Sequence, residues 1–135
     1  MKQYLLTTLE NSRNYTLAVA EAMPEKNYDF KPTQEVWNFL EQLHHIAYGI
    51  GWWEENYVKG NKTDWAPTPT KKTKKEAINY LNGAYDSLKD TIGKAKLSDG
   101  LIKGLNSTLD HITHHRGQAI VYLRCKNIQA PEYTY

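Results

Sequence analysis

The stretch "TKKEAINYLNGAYDSLKDTIGKA" occupies residues 73–95. Its apolar residues, Ala77, Ile78, Leu81, Ala84, Tyr85, Leu88 and Ile92, recur at steps of three and four. That is the period of a helix with one buried face, not of a strand. The spacing predicts a helix over 73–95, and three further segments read the same way. Leu5, Leu6, Leu9, Tyr15, Leu17, Val19 and Ala22 predict a helix over 3–23, which Pro24 ends. A second helix is expected over 34–58, capped by Thr33. Its middle, "LHHIAYGIGWW" at 43–53, is apolar, small or aromatic nearly all the way round, which requires burial on more than one side. Gly49 and Gly51 each cost a helix up to ~1 kcal/mol against Ala, so they point to a close neighbour or to space beside bulky rings. The fourth helix is placed over 99–126, with Ser98 of "KLSDG" as its cap.

Between the first two helices, "EKNYDFKPT" (25–33) reads as an ordered connection that packs Tyr28 and Phe30 onto the bundle. "GNKTDWAPTPT" (60–70) carries two prolines and reads as a loop, and "NIQAPEYTY" as an extended aromatic tail. Four long amphipathic segments without strand-like alternation make the fold class all-α, a four-helix bundle in one domain over 1–135. The long link between the second and third helices leaves room for a crossover.

Lys plus Arg exceed Asp plus Glu by 17 to 15, too small a margin to imply a nucleic-acid partner, and the cluster "KKTKK" (71–75) reads as a solvated loop or helix start. The single Cys125 excludes an intramolecular disulfide and reads as a small buried residue in a reducing compartment. No apolar run suits a signal peptide or a membrane span, so a cytoplasmic location without membrane partners is expected. The four Trp and ten Tyr are many for 135 residues, and such rings line cores, pockets and interfaces.

Chemistry concentrates in "DHITHHRGQ" (110–118). His111 and His115 lie one turn apart on one helix face, a spacing that lets two imidazoles grip one ion, while His114 lies off that face. A third nitrogen must come from the second helix, and the helical wheel leaves His44 and His45 open. His45 does share a face with Asn38, Gln42, Gly49 and Trp52, a mixture that suits a pocket wall. A zincin is excluded because Ile112 stands where that motif needs Glu, and a di-iron carboxylate site because "EQLH" (41–44) has no counterpart on the fourth helix. An all-nitrogen set suits zinc, nickel or another late divalent ion.

"FLEQLHHIA" followed by "WW", "HITHHRGQAIVYLR", "APEYTY" and the upstream "MPEKNYDFKPT" together resemble the DinB-like superfamily, which includes the YfiT-type metal-dependent hydrolases. The resemblance covers nearly the whole chain. It implies a four-helix bundle that holds a divalent metal on one histidine of the second helix and two of the fourth. Aligned to that pattern, the ligands are His45, His111 and His115, followed by Arg116, Gly117 and Gln118, so the choice of His45 rests on the resemblance. Tyr48, Trp52 and Gln118 are the candidate pocket lining. Characterised relatives use low-molecular-weight thiols, so the resemblance implies a metal-dependent thiol transferase, with hydrolysis second. The contrasting expectation is a non-enzymatic scaffold whose histidines bind metal for stability or bind nothing; a homodimer is expected, with "GIGWW" and "PEYTY" supplying its aromatic surface. No general base is legible: Glu41 is the acid nearest His45 in sequence, and Asp110 is a candidate partner for a ligand.

Overall fold

A computed structural model describes residues 1–133; positions 134 and 135, the end of the aromatic tail, lie outside the described residues. Four helices carry the fold: α1 (Lys2–Ala22), α2 (Phe39–Trp53), α3 (Lys74–Lys94) and α4 (Asp99–Cys125). They pack as a four-helix bundle, and the described residues contain no strand.

Three of the four starts are fixed by side chains that bind the free N–H groups of the first turn. At α2 the Asn38 side chain accepts from Glu41 N at 2.8 Å while the Glu41 carboxylate accepts from Asn38 N at 2.7 Å. Thr73 and Glu76 repeat this reciprocal cap at α3, and Ser98 Oγ accepts from Leu101 N at α4. The start of α2 corrects the expected helix over 34–58. Thr33 is not its cap; residues 32–36 are bends and turns. Phe39 N and Leu40 N donate back to Phe30 O and Tyr28 O, so the 28–30 connection together with the Asn38 cap satisfies the first turn five residues later than the period suggested. Beyond Trp53 the chain widens into a π-helical turn, Glu54–Val58. There the buried Glu54 carboxylate accepts from Ser87 Oγ (2.9 Å) and Thr91 Oγ1 (2.6 Å) and meets Lys59 Nζ at 3.1 Å, pinning the end of α2 to α3.

The long link is a crossover. Running from 59 to 73, it bonds α2 in reverse order: Thr63 O accepts from Trp52 Nε1, Tyr48 Oη from Ala66 N, and Thr68 O meets His44 Nε2 at 3.0 Å. The strap therefore returns along α2 and starts α3 beside the first half of α2, so the two helices run parallel. α1 and α2 each pack on both α3 and α4 and stand diagonally across the bundle. Phe39, Leu43, Ile46 and Ile50 of α2 meet Leu81, Tyr85, Leu88 and Ile92 of α3 and Leu105 and Ile112 of α4 in the fully buried centre. Burying each such side chain contributes roughly 1.5–3 kcal/mol.

Cys125, expected to be buried, is exposed, because it falls on the last turn of α4 beyond the packed stripe of Ala119, Tyr122 and Leu123. No helix of the described residues is long and apolar enough to cross a membrane.

Candidate metal centre

α2 and α4 run antiparallel, and their seam brings His45, His111 and His115 together with ligating nitrogens all within 4.8 Å of one another. His111 Nε2 and His45 Nε2 face each other at 2.8 Å. Two imidazole lone pairs at that distance repel unless a proton or a cation lies between them. His115 is oriented differently: its Nδ1 lies 2.8 Å from Gln42 Oε1. A carbonyl oxygen only accepts, so Nδ1 carries the proton and Nε2 is left as the donor atom for an ion. Gln42 is itself held, its Nε2 donating to Gln118 Oε1 at 2.7 Å and to Tyr122 Oη at 3.3 Å.

Three tryptophans close around these rings. Trp37 stacks on His115 with centroids 5.8 Å apart and planes at 22°, and lies 4.6 Å from His45. Trp53 lies 4.8 Å from His111, and Trp65, at the middle of the crossover strap, has its centroid 5.4 Å from that of His45 with the planes at 60°. Burial among these rings, helped by the neighbouring histidines, pushes His111 down to about 4 and His115 down to about 3, and lowers His45 as well. All three are neutral near pH 7, the state a metal ligand requires.

The residues fit a divalent cation. All three donors are neutral imidazoles, and among the described residues the group has no fourth His, Cys, Asp or Glu. His111 approaches α2 where only glycine allows it: a Cβ on Gly49 would stand 2.5 Å from His111 Cε1 and 2.8 Å from its Nδ1. That Nδ1 is buried without a hydrogen-bond partner among the described residues, so on that side of the ring only packing holds it. A small cavity of about 200 Å³, lined by Trp37, Glu41, His44, His45, Trp65 and Pro67, leads to His45. A second hollow, of about 550 Å³, meets His111 between Trp53, Asp110 and His114.

The other sequence candidates fall at different distances from the centre. Gln118 stands one hydrogen bond behind Gln42. Tyr48 and Trp52 pack against the far side of Trp65, at 4.8 and 5.4 Å, and line a separate cavity between α2 and α3. Of the two α2 histidines, His44 points the other way and holds the strap at Thr68 O. Gly51, unlike Gly49, has nothing near its missing side chain. Glu41 reaches the cavity wall, yet its carboxylate caps α2. Asp110 is exposed beside His111. Sequence reasoning missed Trp65 because it lies in an irregular connection, where no period marks a facing surface, and Trp37 because the helix expected over 34–58 takes in a residue that lies in the connection before α2. Gln42 carried a weak signal in sharing the face of His45.

The sequence profile described as "DinB superfamily" matches residues 8–119. No curated protein matches the chain.

Proposed function

We propose that this chain, which belongs to the DinB superfamily, is an enzyme that holds a divalent transition metal on His45, His111 and His115 and transfers a low-molecular-weight thiol to a small electrophile. A bound divalent ion, zinc or nickel by the preference of imidazole donors, supplies Lewis-acid chemistry that lowers the pKa of a thiol or a water it holds. The protein's own part is to present three neutral lone pairs, with Gln42 fixing the His115 tautomer. Trp37, Trp53 and Trp65 pack their rings around the three imidazoles. In the transfer, the thiol sulfur bonds to the electrophile, the leaving group departs with its electron pair, and the thiol proton passes to solvent.

One observation carries the choice of thiol over hydrolysis. The acid nearest His45 in sequence, Glu41, is engaged at 2.7 Å with the backbone of Asn38, the cluster itself contains no carboxylate, and Asp110 stands exposed on the solvent side of His111. An ionised thiol needs no such base to become a nucleophile, whereas water attack gains from one.

The test is elemental analysis of tag-free protein beside His45→Ala, followed by assays with glutathione and a haloaromatic electrophile. We expect stoichiometric metal that disappears in the variant, and turnover that requires both metal and thiol. Turnover of an activated ester without thiol would replace this reading with hydrolysis. Failure to take up zinc or nickel when offered would remove the metal site altogether.

A further inference from the structure

Arg116 follows His115 directly but points to the other side of α4, between α4 and α1. Its side chain is only 5% exposed. The guanidinium lies over the Tyr15 ring, 4.6 Å from the centroid. Among the described residues its hydrogen bonds all run from one nitrogen, Nη1: to Thr16 Oγ1 at 3.1 Å, Ser12 O at 3.3 Å and Ser12 Oγ at 3.4 Å. Among the described residues no carboxylate pairs with it. An arginine cannot escape burial by losing its proton, so the positive charge persists with no counter-charge among those residues. The two donors left over, Nε and Nη2, share one edge of the planar group, the edge that meets a carboxylate with two parallel hydrogen bonds.

That arginine lines a cavity of about 470 Å³. Hydroxyls of Thr7 and Thr113 and the side chains of Tyr4, Leu109 and Tyr133 form part of its wall, and among the described residues no acidic side chain lines it. A permanent cation with an open bidentate edge, set among hydroxyls and apolar surface, suits an anion carried on an apolar body.

We propose that Arg116 anchors a small organic carboxylate in this cavity between α1 and α4, a site separate from the histidine cluster. The ligand's two oxygens take the Nε and Nη2 edge, and its body lies against Tyr4, Leu109 and Tyr133.

Benzoate is the probe, titrated into the full chain by calorimetry, with benzyl alcohol as the uncharged body and inorganic phosphate as the bodiless anion. Arg116→Lys keeps the charge but removes the fork. Thr113→Glu, at an exposed position on α4, supplies an internal carboxylate and keeps the test alive if the Arg116 variant does not fold. We expect saturable benzoate binding that weakens about tenfold or more in Arg116→Lys, with metal content unchanged there, and is lost in Thr113→Glu. Absence of saturable benzoate binding, or equal binding in Thr113→Glu, overturns the site. Phosphate binding as tight as benzoate overturns the assignment to an organic carboxylate, and equal binding of benzyl alcohol overturns the role of the charge.

Discussion

The two sides of α4 around residues 115 and 116 bury positive-capable groups in opposite ways. Toward α2, His115 joins His45 and His111 under a tryptophan shell, and burial answers by driving the imidazoles to their neutral form. Toward α1, Arg116 meets hydroxyls and one tyrosine face, and burial has no such answer because the guanidinium keeps its proton. Neutral lone pairs converging on a point invite a cation, and a retained cation with an open edge invites an anion. Adjacent letters of one helix, about 100° apart around its axis, thus face two different chemistries.

The sharpest way to break the α2 side leaves its ligands intact. Gly49→Ala puts a methyl where the His111 ring now lies. We expect the ring to be expelled and zinc affinity, measured by competition with a chromophoric chelator, to fall by more than any change outside the three ligands. Benzoate binding at Arg116 should not move. Gln42→Leu comes next: it removes the acceptor that fixes His115 Nδ1, and loss of such an outer partner typically costs about 10–100-fold in metal affinity. An unchanged affinity would show that Trp37 alone orients the ring.

The pH dependence separates the sides without mutation. In the metal-free chain, His111 and His115 are depressed from 6.5 to about 4 and about 3. Above pH 6.5 neither folded nor unfolded imidazole is charged, and their contribution to stability is complete. As the pH falls below 6.5, the unfolded chain binds protons that the folded one refuses, so stability drops until the folded side chains also protonate near pH 4 to 3. Thermal unfolding should therefore show Tm declining through this window, and bound zinc should raise Tm while leaving the slope of its upper part unchanged. The smallest effect is a control for both sides: Thr73→Ala removes the cap of α3 and should cost ~1 kcal/mol in denaturant unfolding, with zinc and benzoate binding unchanged.

Much of the bundle was legible in the letters. The stripe from Ala77 to Ile92 is the buried face of α3, and Ser98 is the cap of α4. The start of α2 was misread because helical period continues through residues 34–37 while the backbone there bonds back to Tyr28 and Phe30. Gly49 and Gly51 looked alike, yet only Gly49 meets a ring.

By itself the sequence determined the helices and the shared face of His111 and His115, because period and capping are properties of a single backbone segment and its nearest neighbours. The residues alone left His44 and His45 open, and resemblance to a family was needed to prefer His45. Only the tertiary structure decided that His45 meets the α4 pair while His44 holds the strap, that Trp37 and Trp65 arrive from irregular connections to close the centre, and that Arg116 is buried with no carboxylate partner among the described residues. Those outcomes depend on which helix faces which and on where a fifteen-residue crossover returns along α2. Contacts between segments distant along the chain are set by packing, and no local period encodes them.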